Sequence, residues 1–266
     1  MRNVMKEFIL WKQKYIHHLE LQRGLSQNSL RAIQKDLEQF LNYMEEYQDG
    51  ELTVLTLKSY FFHLQEKHAS NTIQRKISSI KVFLRFLKEE NIVQEDFSLY
   101  FTKVRKEEDT ILFFEKDVWE QFRRAFENNL RDKAIFELLY STGMKPKEFL
   151  SLTYLQIEWQ KQEIYFFQKK ESRTVFFSHR AKEALWNYCE EKGRKEGRIW
   201  DFSEKTLRNI FKKYREKISG LENMTIYSFR HTFAITLLRA GMPKSELQYL
   251  LGLEQGELLQ RYETYK

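Results

Sequence analysis

Apolar residues recur at three- and four-residue intervals along most of this chain, and the rhythm fails in only a few stretches. Before residue 95 it predicts four helices. The first covers about 4–20. The second opens at Ser26, a good N-cap, and puts Leu30, Ile33, Leu37, Phe40, Leu41 and Met44 on one face. The third covers about 53–67. The fourth starts near Ser70, whose hydroxyl is the expected cap, with Ile73, Ile77, Ile80, Leu84 and Leu87 as its apolar stripe. Arg75, Lys76, Lys81, Arg85 and Lys88 are read as lying largely outside that stripe, on a basic face. From about 95 to 113 the periodicity stops in a charged run that reads as a linker. Helices return near 115–128 and 131–142. Strands are expected near 154–158, 163–168 and 173–177, the last two rich in aromatic and branched residues around the turn KKES. Helices then follow at about 179–192, 203–218, 228–240, 243–251 and 255–264.

The pattern therefore gives a mainly α protein with a small β-sheet, in two domains. Composition agrees, because 2 Pro and 9 Gly in 266 residues leave few helix breakers. No apolar run reaches a membrane span, and the N-terminal residues are too interrupted by charge for a signal peptide. The single cysteine, Cys189, has no partner for an internal disulfide and reads as a small buried thiol, which suits a cytoplasmic setting. Net charge is +7, with 14 basic against 13 acidic residues in 1–100 and 31 against 25 in 101–266. That surplus suits a nucleic-acid partner. No metal-ligand cluster and no nucleotide-binding loop is readable, so no metal and no small-molecule cofactor are expected.

The run YSFRHTFAITLLRAG, then LLGLEQGELLQRY, closely resembles the motifs of the tyrosine recombinases, the phage integrase and Xer-type family. GLSQNSLRAIQKDLEQFLNYM and SNTIQRKISSIKVFLRFL resemble that family's core-binding domain, and YSTGMKPKEFLSLTYLQIEW the start of its catalytic domain. The resemblance spans roughly residues 14–265. It implies a four-helix SAM-like core-binding domain over 1–98, a linker over 99–113 and a mixed α/β catalytic domain over 114–266. It also implies site-specific DNA recombination or integration through a 3′-phosphotyrosyl intermediate. Double-stranded DNA is the implied partner, with a homo- or hetero-oligomer assembled on it, and the chemistry uses neither metal nor ATP.

Such chemistry needs a nucleophile, cationic donors for the phosphate oxygens and an acid for the leaving 5′ oxygen. By resemblance Tyr262 is the nucleophile, nine positions after Leu253, while Tyr265 is out of register. Arg230 matches the second family arginine, and its neighbours Phe229 and Phe233 argue against simple exposure. A guanidinium there can grip two phosphate oxygens. Lys169 or Lys170 would supply the hairpin lysine. His231 follows the arginine and reads as packing or support. Lys145 stands where the family has its first arginine, Tyr227 where it usually has His, and Leu253 where it usually has His or Trp. Lysine keeps charge without the two-point grip. Tyr227 donates a hydrogen bond but is no imidazole. Many relatives carry a further helix beyond the tyrosine that docks on a neighbouring protomer; four residues follow Tyr262 here, which speaks against cyclic assembly. Arg75, Lys76, Lys81 and Arg85 are the DNA-binding candidates. Three functions remain open: a working recombinase, a non-cutting DNA-binding or regulatory homologue, and a helical interaction module without DNA binding.

Overall fold

The computed structural model describes every residue except 1, 24, 26, 48–49, 102–109, 168–171, 194, 254–256 and 266. It divides into two compact units, Met1–Asp109 and Thr110–Lys266. The expected cap Ser26 and the hairpin lysines Lys169 and Lys170 lie outside the described residues.

The first unit holds α1 (Arg2–Arg23), α2 (Gln27–Tyr47), α3 (Val54–Lys67) and α4 (Ser70–Glu89). Leu37, Phe40, Met44, Ile80, Leu84 and Leu87 meet in its core. Helix α3 starts with a capping box, Thr53 Oγ1 accepting from Thr56 N–H at 3.1 Å and Thr56 Oγ1 accepting from Thr53 N–H at 3.3 Å. Two details differ from the expectation. Ser70 is the first helical residue, and the cap position is Ala69, whose side chain has no oxygen to offer. Lys76 is buried, 4% exposed, instead of lying on a basic face. It donates to Asp36 of α2 at 3.4 Å and to Gln39, while Asp36, itself 1% exposed, also accepts from Arg75 and from Ser79 Oγ at 3.0 Å. The reason is register: Lys76 lies three residues after Ile73 and four before Ile80, within the buried stripe. A buried ammonium needs this satisfaction.

The segment read as a linker is packed at both ends. Asp96 caps a short 3₁₀ turn, Phe97–Tyr100, by accepting from Ser98 N–H at 2.9 Å, and Phe101 joins the core of the first unit. Ile111 and Phe114 are buried in the second.

In the second unit, α5 (Lys116–Phe126) and α6 (Leu130–Thr142) lead into a short helix α7 (Pro146–Ser151) that the apolar rhythm did not reveal. Pro at its first position and Glu148 at its third are the start signals it does carry. Strands β1 (Ile157–Glu158), β2 (Glu163–Phe166) and β3 (Arg173–Phe176) form an antiparallel sheet in the order β1-β2-β3, with Ile164 opposite Val175. The strand expected over 154–158 is mostly a 3₁₀ turn, because Gln156 Oε1 accepts from both Thr153 N–H and Thr153 Oγ1 at 2.9 Å and bends the chain. Helices α8 (His179–Glu191), α9 (Glu204–Arg215), α10 (Tyr227–Arg239), α11 (Lys244–Leu251) and α12 (Glu257–Glu263) complete the unit.

Helix α6 is its centre. Ala134, Ile135, Phe136, Leu138 and Leu139 are all buried, so it is apolar around most of its circumference. Phe114, Phe122, Phe126, Phe211 and Phe229 pack around it, Phe229 face to face with its Phe136 at 5.6 Å. A second cluster, Ala234, Ile235, Leu238, Leu247, Leu251, Leu259 and Tyr262, docks α11 and α12 on α10. Among the described residues no helix is long and apolar enough to cross a membrane.

Candidate active site

Two glycines prepare the site. Gly143 ends α6 and Gly252 ends α11, each in the left-handed region with φ of 59°. This ending turns the last helical carbonyls outward, where the partial negative charge of a helix C-terminus collects. Arg230, near the start of α10, lies between both ends. Its Nη1 donates to Gly143 O at 2.9 Å and its Nη2 to Leu251 O at 2.5 Å. The side chain is 4% exposed, as Phe229 and Phe233 suggested. Burial pulls its pKa down, opposed by the neighbouring Tyr262 and Glu148. A guanidinium has five N–H donors. Two are spent on the helix ends, and the other three bond to none of the described residues.

The start of α10 is set by Thr225 and Ser228: Thr225 N–H donates to Ser228 Oγ at 3.1 Å, and Thr225 Oγ1 accepts from Tyr227 N–H at 3.2 Å. Phe114 N–H donates to Thr232 Oγ1 at 2.8 Å and ties the entry of the unit to the same helix. Tyr227, at the first position of α10, is 46% exposed.

Lys145 sits at the entry of α7. Its backbone N–H donates to Glu148 Oε2 at 2.7 Å, and its Nζ approaches Gly252 O at 3.4 Å. Glu148 is also gripped at two points by Arg173, at 2.8 and 2.7 Å. Burial pushes the Glu148 pKa up, but the Arg173 fork and the Lys145 N–H outweigh it and hold the carboxyl below its ordinary value. Arg173 is 4% exposed and abuts Gly252. Sequence reasoning missed it, because its position is defined by β3 crossing the end of α11. The one sequence clue is an arginine at the inward register of a strand.

Tyr262 is fully buried. Its hydroxyl lies 2.8 Å from His231 Nδ1, the rings tilted with centroids 5.6 Å apart. Burial raises the phenol pKa, while Arg230 and Arg261 pull it down. Burial, Arg230 and Arg261 together push His231 down to about 4. Tyr265 docks the last helix: its hydroxyl accepts from Ile111 N–H at 2.9 Å. Leu253 is half-buried against the α10–α12 cluster.

The structure thus brings Arg230, Lys145, His231 and Tyr262 into one site, with Tyr227 at its margin. The first unit contributes a separate basic face. Arg85 is exposed and Lys81 half-buried on α4, and Arg75 is committed to Asp36. A cleft of about 380 Å³, basic on balance, lies beside the site in the second unit, lined by Pro146, Arg208, Lys212, Arg215 and Tyr227 together with Glu204, which pairs with Arg208. Among the described residues no group of three or more His, Cys, Asp or Glu side chains is placed to hold a metal ion.

Comparison with known proteins supplies the family. The model described as Phage integrase family matches residues 112–266, and that of the phage integrase N-terminal SAM-like domain matches residues 13–91. The chain is 28% identical to tyrosine recombinase XerC of Leptospira interrogans over 271 residues, covering 90% of this chain and 84% of that one. It is 28% identical to tyrosine recombinase XerD of Oceanobacillus iheyensis over 262 residues, covering 90% and 88%. Its fold matches a lambda integrase dimer bound to a COC′ core site with a TM-score of 0.77 at 17% identity, over 95% of this chain and 93% of that one. The Tn1549 transposon integrase in complex with a circular intermediate DNA gives 0.76 at 15%, over 95% and 94%. With an N-terminal SAM-like region followed by a catalytic region of matching fold, this chain belongs to the phage integrase family of tyrosine recombinases.

Proposed function

We propose that this protein binds duplex DNA and exchanges strands at a specific site, Tyr262 attacking a phosphodiester to form a 3′-phosphotyrosyl link. One observation carries the reading: the Arg230 guanidinium is fixed on the carbonyl ends of two helices, with three donors bonded to none of the described residues, within electrostatic reach of the Tyr262 phenol that His231 holds. A phosphodiester fits those donors, which are in place before the reaction begins. Lys145 adds a second cation from the entry of α7. Lys169 or Lys170 is the proposed hairpin lysine. The XerC and XerD relatives, and the two integrases named as DNA complexes, support duplex DNA as the substrate, and a lambda integrase tetramer bound to a Holliday junction supports assembly of several protomers on it. The cytoplasm is the proposed setting, in keeping with a single cysteine that has no partner for an internal disulfide. Arg85 and Lys81 of α4, and Arg208 and Lys212 of α9, are the side chains proposed to meet the DNA backbone.

The chemistry is expected to be slow. Losing one preorganised donor costs about 2.7–4 kcal/mol in transition-state stabilisation, and Lys145, Tyr227 and Leu253 each offer less than the residues usual at their positions. A second reading, a homologue that occupies DNA without cutting, is favoured by the complete burial of Tyr262. Incubation with a nicked duplex, from which the cleaved fragment diffuses away, separates the two. A covalent adduct on a denaturing gel, absent for Tyr262→Phe, supports cleavage. Salt-sensitive binding with no adduct supports the second reading.

A further inference from the structure

A phenol attacking phosphorus must lose its proton, and an unassisted phenol near pH 7 is almost wholly protonated. Burial raises the Tyr262 pKa, so an acceptor is needed all the more. The usual candidates are missing or engaged. Tyr227 has no imidazole, Leu253 has no polar atom, and Glu148 is committed to Arg173 and to Lys145 N–H. The second unit contains two histidines. His179 is a surface residue, 73% exposed and paired with Glu183 on its own helix. His231 is the other, and its Nδ1 is 2.8 Å from the Tyr262 hydroxyl. That distance is within the reach of a general base.

We propose that His231 is a catalytic residue of this chain, accepting the phenolic proton of Tyr262 as the tyrosine attacks the phosphodiester. The proposal rests on the strand-exchange reading above and goes beyond it by naming the base.

Arg230 is near enough to act electrostatically on both the Tyr262 phenol and the His231 ring, so a phosphate seated on the guanidinium comes into the same neighbourhood. Among the described residues the charged and titratable groups facing the ring are Arg230 on its own helix and Arg261 and Tyr262 on α12. Burial and the two arginines keep the imidazole neutral at pH 7, which leaves Nδ1 able to accept when the other nitrogen carries the hydrogen. The same causes make it a weak base. An incoming phosphodiester brings a negative charge against Arg230 and offsets the repulsion that disfavours imidazolium. Basicity therefore rises when substrate arrives and not before.

The step balances. The Tyr262 Oη–P bond forms while its proton passes to His231 Nδ1. The P–O5′ bond breaks, and the departing 5′ oxygen takes a proton from a lysine ammonium, Lys145 or the hairpin lysine. The phosphorus remains a diester, now of Tyr262. Religation runs the same transfers backwards.

The test uses the full chain and a nicked duplex selected from a random pool by binding to the wild type. Initial adduct rates are measured from pH 6 to 9.5 on the natural phosphodiester and on one with a 5′-bridging sulfur, whose thiolate leaves without a proton. His231→Gln keeps a polar partner for the phenol but no basicity. It is expected to lower the rate about 100-fold at pH 7 on both substrates, with DNA affinity and melting temperature retained. The deficit is expected to shrink as pH rises and the phenol ionises unaided. A wild-type adduct with an unchanged His231→Gln rate overturns the proposal and leaves the strand-exchange reading standing. A loss equal at every pH and accompanied by a lower melting temperature also overturns it, because a packing role would behave that way. If the wild type gives no adduct on either substrate, the strand-exchange reading fails and this proposal with it.

Discussion

Gly252 decides how closely β3 approaches the end of α11. A Cβ at this position would lie 2.4 Å from Arg173 Nη1 and 2.9 Å from its Cζ, and the backbone is in the left-handed region. Gly252→Ala therefore combines an αL strain of about 1–2 kcal/mol with displacement of a buried guanidinium from Glu148. We expect a loss of about 2–4 kcal/mol in urea unfolding of the full chain, without removal of any group that touches DNA. His231 gives a second residue-level prediction. The folded protein keeps its imidazole neutral down to about pH 4, while the unfolded imidazole takes a proton near 6.5. Between those values the unfolded chain binds more protons. Its contribution to stability is therefore complete above pH 6.5 and declines as pH falls to 4, by about 3 kcal/mol at most. His231→Gln should flatten that part of the curve of melting midpoint against pH. Glu148, whose pKa is lowered, acts further down: its contribution is present above about 4.5 and is lost as pH falls through its depressed value. Arg230 and Tyr262 could be picked from the sequence because each stands in a run of recognisable motif. Arg173 could not, since nothing local to FFQKKESRTVFF shows that its side chain will meet Glu148, 25 residues earlier. The His231–Tyr262 bond was hidden for the same reason, joining positions 31 residues apart.

At the scale of elements, what could be read followed from how one-sided each helix is. Helices α2 and α4 each bury one stripe, and most of its apolar positions were legible, although Tyr43, Phe83 and Phe86, also buried, widen it beyond the set read from the sequence. What the stripe concealed was its polar members. Asp36 lies three residues after Ile33 and four before Phe40, and Lys76 has the same relation to Ile73 and Ile80, so both point into the interface and meet there. An opposite-charge pair at stripe positions on two neighbouring helices was a legible sign of an internal ion pair. Helix α7 was missed because six residues hold fewer than two turns and give no periodicity to detect. These distinctions separate the basic residues of α4 experimentally. Lys76→Ala leaves Asp36 with less compensation and should destabilise the first unit by about 3 kcal/mol or more. Arg85→Ala should leave the melting temperature within the scatter of ordinary surface changes and weaken DNA binding, with a shallower dependence on salt. Equal melting losses for both would show that α4 does not divide its cations in this way.

For the whole molecule, the unequal placement of charge and the separate cores lead to one further expectation. The buried clusters fall wholly within residues 5–101 or within residues 111–262, so each unit has a core of its own. Each is also above the size at which a single core sustains folding. Fragments 1–109 and 110–266 should therefore each unfold cooperatively when prepared alone. Their electrostatics differ. The first hundred residues have a surplus of one basic residue, while the remainder has a surplus of six. Affinity for a duplex without sequence preference comes from phosphate neutralisation, with a log–log salt slope of about −0.9 per phosphate contacted. Fragment 110–266 should then retain most of the non-specific affinity, and Arg208→Ala with Lys212→Ala should reduce its slope. Fragment 1–109 should bind more weakly, through the local face of Arg85 and Lys81. Anisotropy titrations of a labelled duplex between 50 and 200 mM salt would check this. A fragment 1–109 that bound as tightly as its counterpart would mean that the arrangement of a few cations on α4, and not the overall surplus, governs how this chain meets DNA. The side chains to test for sequence preference would then be those of α4 before those of α9.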